Sequence, residues 1–432
     1  MKRLSFILVD LLIIFGSIHL SFNILWNFLD QFEHNINAFY AIVPVIGVFY
    51  LVLMYAFGLY NSTRKSIGDV IYTVFLVSTF LTIGIMAACF LFRDVALAFP
   101  RSVIFLSFLF YLILLEIWRL FVWGIEKKGH GIKKVVLIGP ESQELQEVIK
   151  QKYDNIYDIQ AVCGEDDEDL VDKIRQSDVI FLSAGLTNRG REKILLTASQ
   201  NNTHVFFIPE FRDLFITMAS FQKTDDIPTF YIGRMELTYE ERVIKRVVDL
   251  LLGTIGFLIA LPIGFIVAVF VKSDGGPVFY RQERLTRGGK VFNVIKFRTM
   301  IPDAEKLSGP VLAGEKDPRI TKTGRVIRAV RLDELPQILN ILKGEMSIVG
   351  PRPERPFFSE QFEKEIPHYK QRLKVKAGLT GLAQVEGKYN TTVNNKLRYD
   401  LYYIRNYSLF YDLFIILRTI KILFEKDSTE GV

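Results

Sequence analysis

The sequence predicts a multi-domain membrane protein. Its parts are an N-terminal four-helix transmembrane bundle (1–127), a truncated Rossmann-like α/β domain (128–236) and a mostly α C-terminal domain with a re-entrant membrane helix (240–432). Three observations lead to this fold class. Half of the 432 residues are apolar, and the excess is concentrated in residues 1–123. Short apolar runs then alternate with polar stretches, and a fifth long apolar run with basic residues at both ends precedes the last third of the chain.

Four apolar runs open the chain, and each is long enough to cross a membrane, which takes about 20 apolar residues. They span residues 4–29, 39–60, 67–92 and 102–123. The first run is too long for a signal peptide, and no small-residue cleavage site follows it. Basic residues lie at Lys2, Arg3, Arg64, Lys65 and in the segment 126–134 (EKKGHGIKK), whereas the loop 30–37 has acids and no Lys or Arg, and Arg93 is offset by Asp94. Because cytoplasmic loops are enriched in Lys and Arg, we predict that the N-terminus and everything after residue 123 lie in the cytoplasm.

The middle of the chain alternates short apolar segments with polar helical ones. The apolar segments are 133–140, 159–164, 178–185 and 204–210. This alternation predicts a parallel sheet with crossover helices. The first predicted strand leads into Gly139-Pro140-Glu141-Ser142 and lacks the G-x-G-x-x-G turn that binds dinucleotides. We therefore interpret the domain as structural or regulatory, and the sequence leaves open whether it binds a ligand.

The fifth apolar run, 247–271, follows Lys245 and Arg246 and ends at Lys272. Pro262 lies inside it and is predicted to break the helix, because proline lacks the N–H and its ring clashes with the preceding turn. A fifth crossing would place the C-terminal third outside the cell, and no long apolar run follows to bring the chain back. A helix that enters the cytoplasmic leaflet and returns is therefore the favoured prediction.

Two further features belong to this membrane-proximal region. Asp249, at the start of the fifth run, is predicted to pair with a nearby arginine as a structural anchor. The apolar stretch 409–424 is punctuated by Asp412, Arg418 and Lys421, and it could lie in the membrane interface or pack as core. The two cysteines, Cys89 and Cys163, are too few for a disulfide framework or a zinc site.

Basic residues are concentrated between positions 281 and 331. They are Arg281, Arg284, Arg287, Lys290, Lys296, Arg298, Lys306, Lys316, Arg319, Lys322, Arg325, Arg328 and Arg331. Such a patch beside a membrane segment could hold anionic lipid headgroups, bind nucleic acid or bind a polyphosphate. The aromatic side chains that stack on single-stranded bases are sparse here, so no nucleic-acid partner is predicted.

Two adjacent acids, Asp333 and Glu334, follow this basic run. They are predicted to open a helix over 334–342 that ends at Gly344, with Asp333 as its N-cap. A helix N-terminus favours an ionised carboxylate and binds phosphate. An isolated acid pair would most simply cap a helix, but here an arginine-rich segment precedes the pair and 349–353 (VGPRP) follows it. This context favours a functional role.

With these motifs the chain from 241 to 424 resembles the bacterial sugar transferase family, the monotopic phosphoglycosyl transferases. The matching segments are 245–253, 276–300, 317–328, 331–354, 377–390 and 400–413. The whole chain resembles the large members, which carry four N-terminal helices and a truncated Rossmann-like domain and initiate exopolysaccharide, capsule or O-antigen units. It departs from the family at Ala377, Leu382 and 387–390, where members usually have Pro, often Trp, and Gly-Arg-Asn. These departures bear on substrate details.

The resemblance implies transfer of a sugar 1-phosphate from a UDP-sugar to undecaprenyl phosphate, with release of UMP. Asp333 would be the nucleophile that carries the phosphosugar intermediate, and Glu334 would hold Mg²⁺. Lys296, Arg298 and Arg352 are predicted to bind the substrate phosphates, since phosphoryl transfer depends on positioning and positive charge. Arginine in particular binds phosphate oxygens through two nitrogens.

The resemblance also implies a multi-pass protein of the bacterial cytoplasmic (inner) membrane that acts among its lipids, with the catalytic domain on the cytoplasmic face. A homodimer is usual for the large members. The sugar and the polysaccharide pathway stay open. A nucleotide-sugar dehydratase would need the glycine loop and a Tyr-x-x-x-Lys pair, and no tyrosine in the chain has a lysine four residues later. A non-catalytic scaffold remains the alternative, and a many-helix transferase would need more crossings.

Overall fold

The structure is a computed structural model that divides into two compact units, Met1–Glu210 and Phe211–Val432. It describes residues 2–28, 32–59, 66–91, 100–129, 131–140, 142–154, 156–216, 219–301, 317–387 and 391–422. Several positions used in the sequence predictions lie outside these ranges. They are Arg64, Lys65, Arg93, Asp94, Glu141, residues 302–316, residues 388–390 and the end of the apolar stretch 409–424.

The four N-terminal apolar runs are helices. Their bounds are α1 Lys2–Ile24, α2 Phe32–Ala56, α3 Ile67–Leu91 and α4 Arg101–Gly129. Helices α1 and α3 pack against α4, and α2 packs against α3. Each is long and apolar enough to cross a membrane. These helices identify a membrane protein.

The surface and interior of these helices have the character expected in lipid. Large apolar side chains point outward, such as Leu12 and Phe90, which are 70% and 79% exposed. Inside, the carboxylate of Asp10 on α1 pairs with the guanidinium of Arg119 on α4, and both side chains are buried. A charge in a hydrocarbon environment is stable only with a partner, so this pair links the two helices.

The α/β part is a four-stranded parallel sheet in the order β2-β1-β3-β4. Its elements are β1 Lys133–Ile138, α5 Ser142–Lys152, β2 Tyr157–Cys163, α6 Leu170–Arg175, β3 Val179–Leu182, α7 Asn188–Gln200 and β4 His204–Phe207. Alternate residues of β1 enter different cores, with Val136 and Ile138 on one face and Val135 and Leu137 on the other. Burial on both faces of the sheet explains why the central strands β1 and β3 have runs of consecutive apolar residues. The predicted strand–helix alternation is confirmed.

The predicted domain boundary near residue 236 differs from the structural division. The segment after β4 contains α8 Phe211–Ile216, β5 Ser220–Thr224 and β6 Ile227–Tyr231. Leu214, Met235 and Leu237 are buried together with Tyr369 and Val375. This segment therefore contributes to the core of the C-terminal unit. Which unit's hydrophobic core this segment joins depends on tertiary packing, and the local apolar pattern does not encode that packing.

The rest of the C-terminal unit combines helices with two small strand pairs. Its elements are α9 Tyr239–Ser273, β7 Phe279–Leu285, β8 Val291–Phe297, α10 Lys322–Ala329, α11 Gln337–Lys343, β9 Ser347–Val349, α12 Pro356–Glu365, β10 Gly378–Thr380, α13 Leu382–Glu386, α14 Val393–Arg405 and α15 Leu409–Ile422. Strands β7 and β8 form an antiparallel hairpin, and β9 and β10 pair in parallel.

Helix α9 contains the fifth apolar run and continues through Pro262 without interruption. The predicted helix break at Pro262 was therefore wrong. Proline removes one N–H from a helix of 35 residues, and its ring fixes a φ that a helix accepts. The other hydrogen bonds persist, because nothing in an apolar environment competes for them.

The apolar stretch at the end of the chain was predicted either to lie in the membrane interface or to pack as core. On one face of helix α15 it packs as core. Asp412 and Ile415 are buried in the core, with Phe414 packed against it. On another part of its surface, Phe410 is 81% exposed. One face is therefore core, and an apolar side chain remains at the surface.

Candidate active site

The two predicted catalytic acids lie in a short 3-10 turn, Leu332–Glu334, between α10 and α11. The turn is closed by the Leu335 N–H, which donates to the Leu332 carbonyl at 3.2 Å. Helix α11 begins only at Gln337, so the predicted role of Asp333 as helix N-cap was wrong. The predicted end at Gly344 is confirmed by its φ of 83°.

Strained backbone precedes this turn. Arg331 has a φ of 54°, which is left-handed. This conformation costs a non-glycine residue on the order of 1–2 kcal/mol. It reverses the chain directly after α10, so that Asp333 and Glu334 follow in a tight turn rather than in a regular helix. Strain at this position is typical of a site whose geometry matters for function.

Two cations converge on Glu334. The Lys296 ammonium, on β8, lies 2.8 Å from Glu334 Oε1, and Arg352 Nη2 lies 2.9 Å from the same oxygen. Lys296 is 4.0 Å from Asp333 Oδ2. The Asp333 side chain accepts no hydrogen bond from any residue in the described part of the chain. Four of the five predicted site residues therefore meet, and one carboxylate is left available.

The two neighbouring acids have opposite electrostatic environments. Burial raises the pKa of Asp333, and the nearby charge of Glu334 adds to this, while Lys296 and Arg352 act against it. Burial would also raise the pKa of Glu334, but attraction to Arg352 and Lys296 outweighs it and holds that pKa far below its usual range. Glu334 is thus a permanent anion that orients two cations, and Asp333 is a carboxylate whose charge is less stabilised.

Arg298 does not join this group. Its Nη2 donates to the Val271 carbonyl of α9 at 3.0 Å, and the residue is 6% exposed. Its Nε and Nη1 are buried and have no hydrogen-bond partner in the described part of the chain. The structure therefore places Arg298 at the end of the apolar helix, with donor capacity that the protein does not use.

The loop that carries Arg352 is fixed by backbone contacts between β9 and β10. The Gly350 N–H donates to the Thr380 carbonyl at 2.8 Å, and the Gly378 N–H donates to the Pro351 carbonyl at 2.9 Å. A Cβ on Gly378 would lie 2.1 Å from the Gly350 nitrogen. Only glycine permits this approach, so Gly378 remains necessary beside the unusual Ala377.

Sequence reasoning missed the residues that hold this loop from behind. Arg372 is buried, and its Nε donates to Asp400 Oδ2 at 2.8 Å while its Nη2 donates to the Arg352 carbonyl at 2.9 Å. Arg284 Nη1 donates to the Pro353 carbonyl at 3.0 Å. The only available signal was that Asp400 begins a segment that resembles the family, since nothing in the pattern pairs it with position 372.

The anchor at the start of α9 also differs from the prediction. Asp249 is buried, and its Oδ1 accepts hydrogen bonds from Ser347 Oγ and from the Ile348 N–H, both at 2.9 Å. The predicted pairing with an arginine was wrong. The carboxylate instead accepts a hydrogen bond from a backbone N–H of β9. Lys245, one turn earlier, pairs with Asp412 of α15.

The acid pair fits Mg²⁺ by its donor chemistry. Within the described ranges no three His, Cys, Asp or Glu side chains form a ready metal site. Mg²⁺ is commonly held by one or two carboxylates together with waters and substrate phosphates. Asp333 and Glu334 supply such carboxylates, and the remaining ligands would come from the substrate.

The carboxyl end of the parallel sheet is the second place where a ligand could bind. Here Glu165 Oε2 accepts hydrogen bonds from the Thr187 N–H and hydroxyl, both at 2.9 Å. Glu210 Oε1 accepts from the Gly185 N–H at 3.0 Å and from Arg191 Nη2 at 3.1 Å. The donors that a phosphate would need are therefore used by the domain's own acids.

Comparison with known proteins places this site in a family. The family model for bacterial sugar transferases matches residues 240–426. A Bacillus subtilis protein, provisionally named an undecaprenyl-phosphate N-acetylgalactosaminyl 1-phosphate transferase, is 50% identical over 139 residues, which are 32% of this chain and 77% of that protein. The chain belongs to the bacterial sugar transferase family. All five predicted site residues lie inside the region that matches the family.

Other bacterial sugar transferases align over longer segments. A UDP-N-acetylgalactosamine-undecaprenyl-phosphate N-acetylgalactosaminephosphotransferase of Aeromonas hydrophila is 36% identical over 234 residues, 53% of this chain and 54% of that protein. A UDP-glucose:undecaprenyl-phosphate glucose-1-phosphate transferase of Klebsiella pneumoniae is 32% identical over 286 residues, 64% of this chain and 61% of that protein. The chain thus spans about half of the length of the Aeromonas protein and about three fifths of the Klebsiella protein.

Proposed function

We propose that this protein transfers a sugar 1-phosphate from a UDP-sugar to undecaprenyl phosphate and releases UMP. The observation that supports it most directly is the Asp333 carboxylate, which accepts no hydrogen bond in the described part of the chain and lies beside Glu334, Lys296 and Arg352. A nucleophile next to convergent cations is what transfer of a phosphoryl group requires. Relatives whose names specify this chemistry align with 53% and 64% of the chain.

The reaction runs in two displacements at one phosphorus atom. Asp333 Oδ attacks the β-phosphorus of the UDP-sugar, and the bond to the bridging oxygen breaks, so that UMP leaves with the electron pair. The phosphosugar is now bound to Asp333 as an acyl phosphate. A phosphate oxygen of undecaprenyl phosphate then attacks the same phosphorus and releases the Asp333 carboxylate. The product is undecaprenyl-diphosphate-sugar, and no oxidant or net proton is needed.

The neighbouring residues supply positioning and charge. Arg352 and Lys296 bind the diphosphate oxygens as negative charge develops on the UMP leaving group. Glu334 orients both cations before substrate arrives, and with Asp333 it provides the carboxylates for Mg²⁺. When bound, Mg²⁺ neutralises diphosphate charge. Arg298, whose Nε and Nη1 are unused at the end of α9, binds the phosphate of the lipid.

The decisive experiment measures UMP release. The full-length protein is supplied with a panel of UDP-sugars, Mg²⁺ and undecaprenyl phosphate, and wild type is compared with Asp333→Asn. Release that depends on the lipid, on Mg²⁺ and on Asp333 is expected, and the active donor identifies the sugar. If a folded preparation releases no UMP from any donor, the protein is a scaffold of polysaccharide assembly rather than a transferase.

The path of α9 is re-entrant in this proposal. Contacts at two points along the helix support it: Gly253 lies against Leu342 of α11, and Gly264 lies against Phe297 of β8. Strand β8 and helix α11 are themselves joined, because Asn340 Oδ1 accepts from the Ile295 N–H at 3.0 Å. A helix that packs on one domain along its length keeps both ends on the same side of a membrane.

The same proposal covers location and assembly. The protein acts at the cytoplasmic face of the bacterial inner membrane as a homodimer, in the first membrane step of exopolysaccharide, capsule or O-antigen synthesis. Labelling of single cysteines in intact cells tests the topology, with one cysteine at Glu240 and one at Asp274. Both should resist a membrane-impermeant reagent, and labelling of only one would show that α9 crosses the membrane.

A further inference from the structure

A second cationic site lies at the far end of α11 from the acid pair. It is a cleft of about 580 Å³ at Gly344, between α11 and the tip of the β7–β8 hairpin. Pockets for small ligands are typically 300–1,000 Å³. Helix α11 has seven residues, which separates this cleft from the turn at Asp333 by roughly 10 Å along the helix. The cleft is thus distinct from the catalytic group.

The cleft is lined by cations that the protein leaves unpaired. They are Arg281, Arg287, Lys290, Lys343 and Lys376. None of these side chains has an ion pair or a hydrogen bond with another side chain in the described ranges. The one acid of the lining, Glu345, accepts a hydrogen bond from Asn340 Nδ2 at 2.6 Å. Five positive charges therefore face one carboxylate that is already engaged.

Lys376 is the cation most affected by this crowding. A Cβ on Gly344 would lie 3.2 Å from Arg246 Nη2 and 3.5 Å from Lys376 Nζ, so both groups flank the helix end. Burial lowers the pKa of Lys376, and the charges of Arg246 and Arg287 lower it further. Arg246 itself donates to the Ile341 and Leu342 carbonyls. An anion placed between Lys376 and Arg287 would relieve this repulsion.

The cleft adjoins the apolar helix α9. A neighbouring cleft of about 400 Å³ shares Arg287 and Lys376 with it and is lined on its other side by Val243 and Val247 of α9. Val243 and Val247 are 44% and 51% exposed. Cations next to exposed apolar side chains at the start of a membrane helix match the two parts of a phospholipid, a phosphate and its acyl chains.

We propose that the cleft at Gly344 binds a phosphate group, and that this phosphate belongs to the headgroup of an anionic phospholipid. Arg287, Lys343 and Lys376 bind the phosphodiester oxygens, and the exposed apolar start of α9 contacts the acyl chains. This lipid is neither the donor nor the acceptor of the sugar transfer. It fixes the C-terminal unit at the membrane surface from the side opposite Asp333.

The test compares two variants of the full-length protein with equal loss of charge. The first is Arg287→Gln/Lys343→Gln/Lys376→Gln, and the control is Lys150→Gln/Lys193→Gln/Lys223→Gln, which removes three exposed lysines elsewhere. Each protein is incorporated into nanodiscs with equal amounts of phosphatidylglycerol and phosphatidylcholine, and the lipids retained after transfer to detergent are counted by native mass spectrometry. UDP-sugar is absent, so the outcome does not depend on sugar transfer.

We expect wild type and the control to retain phosphatidylglycerol selectively, and the cleft variant to lose this preference by about tenfold or more, because it lacks three basic residues that attract the anionic headgroup. Lys343→Arg/Lys376→Arg should keep the preference, which shows that a loss is not misfolding. Equal retention by wild type and the cleft variant would overturn the proposal. Displacement of phosphatidylglycerol from wild type by inorganic phosphate supports the phosphate site, whereas phosphate binding without any lipid preference would overturn the lipid as its source.

Discussion

The carboxyl edge of the α/β sheet and the turn at Asp333 both bring acids next to hydrogen-bond donors, but they use them differently. At the sheet edge, Glu165 and Glu210 each accept hydrogen bonds from backbone N–H groups. At the turn, Lys296 and Arg352 converge on Glu334 and leave Asp333 without a hydrogen bond in the described part of the chain. The first arrangement satisfies its donors internally, and the second leaves one carboxylate without a hydrogen bond in the described part of the chain.

This difference teaches how to separate a functional site from a structural one when both are polar. A structural site uses its donors and acceptors fully, because an unpaired buried polar group is costly. A catalytic site leaves some hydrogen-bond donors and acceptors unpaired so that they can bind substrate, which lowers stability. Strained backbone and buried polar groups without a partner therefore indicate such a site. In the C-terminal unit, Arg331 has a φ of 54°, and two nitrogens of Arg298 have no hydrogen-bond partner in the described part of the chain. Both features fit the proposed catalytic site.

Asp333→Asn gives the largest expected effect. The amide keeps the size of the side chain and cannot attack phosphorus, so UMP release should fall by about 10⁴-fold or more, as for other catalytic nucleophiles. The control is Glu360→Gln, which removes an exposed charge on α12 and should leave the rate unchanged. A rate near that of wild type in Asp333→Asn would contradict the covalent mechanism.

Lys296→Met is expected to reduce the rate by about 100-fold and to change its dependence on pH. In the proposed mechanism Asp333 attacks only when it is ionised, so activity should fall as the pH falls through the pKa of Asp333. Lys296 holds that pKa down against the effect of burial, and its removal raises the pKa further. The acid limb of the rate profile should therefore move to higher pH. An unmoved limb would show that another group controls it.

Arg352→Lys tests the geometry of charge at the same site, with charge conserved. Lysine cannot bind two phosphate oxygens through a planar fork, and we expect a loss of about tenfold to 100-fold in kcat/KM for the UDP-sugar. The matched control is Arg325→Lys on the exposed face of α10. If both variants retain the wild-type rate, Arg352 serves only to pair with Glu334.

Asp249→Ala tests a structural acid within the C-terminal unit. It leaves the Ile348 N–H and the Ser347 hydroxyl without their acceptor, which should cost about 2 kcal/mol of unfolding free energy. Ser347→Ala should cost less, about 1 kcal/mol, because the Ile348 N–H keeps its acceptor. Denaturant titration of the protein in detergent measures both. Equal losses in the two variants would show that the backbone bond contributes little.

The sequence predicted features that depend on local pattern. The apolar runs became helices, the strand–helix alternation became a parallel sheet, and Gly344 ended α11. It also named Asp333, Glu334, Lys296 and Arg352, which the structure brings together, because each lies in a segment that resembles the family. It failed where the outcome depends on partners far apart in the chain, as with Asp249 and Ile348 or Arg372 and Asp400. The predicted helix break at Pro262 was wrong for a related reason. Proline removes a single hydrogen bond, whereas the stability of the helix depends on all of its hydrogen bonds and contacts.

Glu165→Gln gives the smallest expected effect and tests the other side of the comparison. The glutamine carbonyl can still accept from the Thr187 N–H, so stability should change by less than about 0.5 kcal/mol and UMP release should be unchanged. The side chain is partly exposed to solvent, which limits the contribution of its charge. A clear fall in UMP release with unchanged stability would mean that the sheet edge influences the transfer reaction. The two regions would then differ in chemistry but not in functional importance.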